Sequence, residues 1–104
     1  MYRYTVSAEF ANPAMAAEWL QWLKGGHVQD VLQCGASSAE VVRLDDAVTA
    51  YEVRYVFPDR ETYLQYRDNH APRLQAEGLE RFPDSSGVQY ERSTGIVEAT
   101  FPEA

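Results

Sequence analysis

A chain of 104 residues, 45% hydrophobic and 24% charged, has the length of one domain and the composition of one packed core, which argues against disorder and coiled coil. Sixteen acidic residues against nine basic ones leave a formal net charge of -7, which repels a phosphate backbone and sets nucleic acid aside as a partner. No apolar run approaches the roughly 18 residues that span a bilayer, MYRYTVSAEF alternates where a signal peptide would be continuously apolar, and the lone Cys34 cannot form an intramolecular disulfide; a cytoplasmic protein without membrane contact is the expectation.

Tyr2, Tyr4, Val6, Ala8 and Phe10 alternate with Arg3, Thr5, Ser7 and Glu9, the period of a strand with one buried face. Asn12-Pro13 then opens a helix, asparagine capping free amides and proline preset for the first turn. Met15, Ala16, Trp19, Leu20 and Leu23 fall on its buried stripe, with Trp22 at the rim. Gly25-Gly26 stops this helix, and a shorter helical piece from His27 to Leu32 ends at Gly35.

Ala39–Leu44 and Val48–Phe57 read as a hairpin around Asp45-Asp46, with Tyr51, Val53, Tyr55 and Phe57 on one face. Asp59 starts a second long helix as Asn12 starts the first, and it runs to about Phe82 with an interruption at Pro72. A loop over Pro83–Gly87 leads to a last strand from Val88 to Ala99. The order βαββαβ over a single domain of residues 1–104 predicts an α+β, ferredoxin-like sandwich: a four-stranded antiparallel sheet with two helices on one face. A faint internal repeat agrees with it, for Trp19-Leu20-Gln21-Trp22 followed by His27 echoes Tyr63-Leu64-Gln65-Tyr66 followed by His70.

Several residues invite chemical readings. His27, Asp30 and His70 suggest a metal site, but helices running in opposite directions hold the two histidines roughly 15 Å or more apart, so no metal is expected and His27 is read as closing the helix terminus. Arg67 and His70 fall on the wheel with Tyr63, Leu64, Ala71 and Leu74, which predicts two polar side chains turned inward. Two readings stay open. In one, Tyr63, Arg67 and His70 line a pocket between the second helix and the sheet, suited to a small acidic or hydrophobic ligand. In the other, Arg67 reaches a protein carboxylate and His70 a backbone group. The tryptophans and tyrosines read mainly as core, Cys34 as an inert thiol without a basic neighbour in sequence, and Arg73, Glu77 and Arg81 as a solvated ladder. No phosphate loop, nucleophile elbow or Cys-x-x-Cys pair is present, and no cofactor is expected.

Glu18-Trp19-Leu20 to Leu23, His27-Val28 to Asp30-Val31-Leu32, Gly35, Tyr63-Leu64, His70-Ala71-Pro72-Arg73-Leu74 and Leu79-Glu80-Arg81-Phe82 together resemble a bacterial family of about this length described as a domain of unknown function. That family looks like part of the dimeric α+β barrel group, which includes antibiotic-synthesis monooxygenases and haem-degrading enzymes. The resemblance implies a homodimer with two sheets packed face to face. The outward sheet face, with Arg3, Thr5, Ser7, Glu9, Glu52 and Arg54, is polar for a large obligate interface; complementary charges meeting there and a solvated face both remain open. Haem-degrading members use a helix-borne histidine with a tryptophan and an asparagine; His70 matches the first, but both tryptophans lie on the other helix and Asn12 reads as a cap. A small non-catalytic or ligand-binding dimeric domain is therefore the leading expectation. A cofactor-light or haem-related monooxygenase-like enzyme and a subunit of a larger assembly are the alternatives.

Overall fold

The computed structural model describes residues 1–45 and 49–102; the expected strand start at Val48 and turn residue Asp46 lie outside them. Its elements follow the order β1 (Tyr2–Glu9), α1 (Pro13–Trp22), α2 (Val28–Gln33), β2 (Ser38–Arg43), β3 (Ala50–Phe57), α3 (Arg60–Asn69), α4 (Ala71–Arg81) and β4 (Gln89–Ile96). The strands form one antiparallel sheet in the order β2-β3-β1-β4. The chain thus has the ferredoxin-like βαββαβ architecture.

Both expected caps form. Asn12 Oδ1 accepts a hydrogen bond from the Met15 amide at 2.9 Å, and Asp59 Oδ1 accepts from the Thr62 amide and hydroxyl at 2.7 and 2.8 Å. Those bonds hold the Asp59 carboxyl below the usual carboxylate range. Register then fixes the core, since Tyr4 opposite Tyr55, Val6 opposite Val53 and Ala8 opposite Tyr51 turn both side chains of each pair toward the helices. Phe57, Phe82, Trp19, Leu23, Leu74, Val31 and Val53 are the largest side chains sealed from solvent.

Most boundaries lie within a residue or so of expectation, and two differences matter for the site. The last strand ends at Ile96, three residues before Ala99, because its partner ends there too: Ile96 faces Tyr2, where β1 begins. The second long helix breaks at His70 (φ -127°, ψ -38°) into α3 and α4, ahead of Pro72. Proline disfavours the helical conformation of the residue before it and supplies no amide for the preceding turn, so the disruption falls N-terminal to the ring.

Coverage of the sheet is uneven. β3 is mostly buried on its helix-facing side, whereas on β4 only Tyr90 is partly covered, and Arg92, Thr94 and Ile96, which share its face, are exposed. The helix layer therefore stops short of one edge. A cleft opens there.

Candidate functional site

The cleft encloses about 430 Å³ between α1, α4 and the sheet, within the range of small-molecule sites. Its most buried lining residues are Tyr4 from β1, Tyr55 from β3, Tyr66 from α3, Trp19 from α1 and Leu74 from α4. At its open side stand Arg92 and Asp84, both exposed, and Leu79.

One wall depends on a turn. Between α1 and α2 the chain makes a wide turn over Leu23–His27 in which Gly26 adopts φ 150°, a conformation that a Cβ atom all but forbids. The reversal returns His27 onto Trp22, the two rings stacked with centroids 4.0 Å apart. His27 makes no cap hydrogen bond, contrary to the helix-closing role expected of it; the glycine turn directs its side chain back along α1 instead. Its Nδ1 is sealed and unpartnered, and burial, outweighing the opposing charge of Asp30, lowers its pKa to about 4. A neutral imidazole thus stands in the wall at pH 7. On the other side Trp22 lies against α4 because residue 78 is glycine: a Cβ there would stand 3.1 Å from the Trp22 ring.

The tyrosines form the deepest part. Tyr4 stacks on Tyr55 at 5.8 Å and meets Tyr66 at 6.2 Å. Burial is the main cause raising the phenol pKa of Tyr55 and of Tyr66, and their neighbours' phenols add to it; each stays protonated at neutral pH. Arg92 acts in the opposite sense on Tyr66, Tyr63 and Tyr90, so its positive charge bears on this cluster from the open side. Its guanidinium also sits 5.1 Å over the Tyr90 ring. Trp19 Nε1 is near enough to the Tyr90 hydroxyl to favour its ionised form, yet reaches no hydrogen-bond geometry and is sealed without a partner.

Of the residues expected to form a pocket, Tyr63 is buried against Tyr2, Tyr4, Phe57 and Tyr66. Arg67 is not turned inward. It is exposed and pairs with its neighbour Asp68 at 2.9 Å. Tyr63 and Tyr66 carry the buried face of α3, and Arg67 lies about 70° round from the middle of that face. His70 is half-buried at the break between α3 and α4, where the helical wheel used to place it no longer applies. None of the three lines the cleft. The residues that do, His27, Tyr66 and Arg92, belong to the expected chemical types at other positions. Tyr66 was legible from the same wheel as Tyr63; the approach of Arg92 follows only from register.

Two smaller expectations also change. Arg73 pairs with Glu77 at 3.8 Å, but Arg81 lies over the Phe82 ring at 6.0 Å, so the ladder has one rung. Cys34 has a basic neighbour in space, with Arg73 Nη2 3.9 Å from its sulfur.

Fold and cleft together define a ferredoxin-like α+β domain with an aromatic pocket under its helices. Over residues 1–91 the sequence matches the model of the domain of unknown function DUF4286, and the chain belongs to that family. No curated protein matches it. Among solved structures, a putative antibiotic biosynthesis monooxygenase from Deinococcus radiodurans superposes with a TM-score of 0.74 at 10% identity, over 100% of this chain and 99% of the other. A dimeric ferredoxin-like protein from an uncultured marine organism gives 0.73 at 10% identity, over 98% of each chain. The ActVA-Orf6 monooxygenase of Streptomyces coelicolor, in complex with nanaomycin D, gives 0.66 at 19% identity, over 98% of this chain and 92% of the other. At such identities the likeness is one of fold.

Proposed function

We propose that the chain is a small-molecule-binding domain that takes a planar, largely apolar ligand in the cleft between its helices and sheet, and that it works as a homodimer. The observation that carries the first part is the cleft itself, about 430 Å³ with Tyr4, Tyr55, Tyr66, Trp19 and Trp22 in its lining. Flat rings offer stacking surface to a flat ligand at low entropic cost. A protein of the same fold holds a ligand, nanaomycin D, which supports ligand binding by analogy. Of the three residues first considered, Tyr63 has an indirect part, backing Tyr66 with ring centroids 6.2 Å apart; Arg67 and His70 are assigned no contact. Titration with 2-naphthylmethanol, followed by the indole N–H signals in two-dimensional NMR, tests this reading. Shifts at Trp19 and Trp22 are expected; no response from either overturns it.

Charge arrangement supports the dimer. On the outer sheet face Arg54 is engaged within the chain, 3.5 Å from Glu40 and 3.3 Å from Glu52. Arg3 lies toward one end of that face, and Glu9 and Glu91 toward the other. A two-fold axis lying between two such faces and running across the strands sets the basic end of one copy over the acidic end of a second, so a polar sheet is compatible with association. The dimeric neighbour of similar fold agrees. Light scattering is expected to give twice the 11.8 kDa chain mass, and a single-chain mass across concentrations overturns the dimer.

A further inference from the structure

Tyr4, Tyr55 and Tyr66 are each more than nine-tenths buried, at 5%, 2% and 4% exposure, yet among the described residues no side chain or backbone group partners their hydroxyls. Nor are those oxygens sealed, since among the described residues the sealed, unpartnered side-chain atoms are Trp19 Nε1 and His27 Nδ1. All three residues line the cleft. A buried phenol with no partner is costly unless something enters to meet it. Three such donors lie within one aromatic cluster, and Arg92, the one cation among the described residues that line the cleft, bears on Tyr66.

From this we infer that the cleft is selective for an anionic oxygen carried on an aromatic ring, held in depth by the hydroxyls of Tyr4, Tyr55 and Tyr66 and reached from the open side by Arg92. The inference rests on the ligand-binding reading above and sharpens it to a class of ligand. Preset donors in a water-poor site stabilise negative charge far better than they serve a neutral group. Their identity matters as well. Burial keeps Tyr55 and Tyr66 protonated at neutral pH, so they donate to an incoming oxyanion and do not oppose it. Arg92 adds positive charge at the entrance of a protein whose net charge is -7, where an anion would otherwise be repelled. The chemistry is shared by an aromatic carboxylate and by an enolate or phenolate, and two probes separate these.

Calorimetric affinities are to be measured for 2-naphthoate, for 2-hydroxy-1,4-naphthoquinone, which ionises as an enolate, and for the neutral 2-naphthylmethanol. At least one anion is expected to bind about tenfold or more tightly than the neutral compound, and the stronger of the two identifies the source. Tyr66→Phe, which removes a hydroxyl alone, and Arg92→Met, which retains the stem, are each expected to abolish most of that preference, bringing the anion's affinity down toward that of 2-naphthylmethanol. A wild-type circular dichroism spectrum and dispersed indole N–H signals certify the fold of both variants. Equal binding of all three compounds, or a preference untouched by either substitution, overturns the inference and leaves the binding domain standing. Failure of all three to bind removes both.

Discussion

The two halves of the repeat carry an aromatic pair followed by a histidine, and they treat that histidine differently. After Trp19-Leu20-Gln21-Trp22 the chain turns at Gly26, and His27 comes back to stack on Trp22 in the wall of the cleft. After Tyr63-Leu64-Gln65-Tyr66 it breaks at His70 before Pro72, and the next helix sets off with His70 half-buried at the joint. Glycine permits a reversal that proline does not. The residue that interrupts a helix therefore decides whether the polar side chain beside it is folded under the layer or left at its margin.

The strongest way to sharpen this contrast is through proton uptake at His27. In the unfolded chain an imidazole titrates near 6.5, and in the folded chain burial delays His27 to about 4. Between those values the unfolded state binds the extra proton, so the His27 contribution is intact above pH 6.5 and is lost as pH falls toward 4. The loss approaches roughly 1.4 kcal/mol per pH unit, on the order of 3 kcal/mol across the window. Denaturant titrations of the wild type and His27→Gln at intervals from pH 7 to pH 4 are expected to show a shallower decline in the variant, whatever their difference at pH 7. In NMR, Trp22→Leu should move the His27 midpoint up toward 6.5, because the stacked indole is part of what keeps water away. Parallel stability curves, or an unmoved midpoint, would break the account.

Much of the fold was legible because its signals are local. Alternation in Tyr2–Phe10, the caps at Asn12 and Asp59 and the Gly25-Gly26 stop each involve residues within one or two turns, and each recurs in the structure. The four-stranded antiparallel sheet followed from the order of elements. The candidate site was less legible, since its parts meet only through register and turns. Arg92 faces Val6 across β1 and β4 and comes beside the tyrosines because helices leave that edge uncovered, a fact about layer width that periodicity does not record. Arg67 was misplaced for a related reason: a wheel drawn through His70 assumes one continuous helix, and Tyr66 pulls the true buried face away from it. The stacking of His27 on Trp22 depends on the backbone of Gly26, which residue spacing does not record.

That dependence gives the last and smaller effect. At Gly26 a built Cβ meets nothing within 4 Å, so Gly26→Ala introduces no collision, and its whole cost lies in forcing an L-residue to φ 150°. Strain of this kind is worth about 1–3 kcal/mol, or it is relieved by a different turn that withdraws His27 from Trp22. Either outcome is readable: the first as a lower unfolding free energy with the His27 midpoint still near 4, the second as a midpoint returned toward 6.5. Pro72→Ala is the matching change at the other break. There proline sits in the first turn of α4, a position that suits it, and its removal chiefly loosens the unfolded chain, at a cost of about 1 kcal/mol or less. Gly26→Ala with neither a stability loss nor a shifted midpoint would show that the turn does not direct His27, and that the two halves differ for some other reason than the residue that breaks each helix.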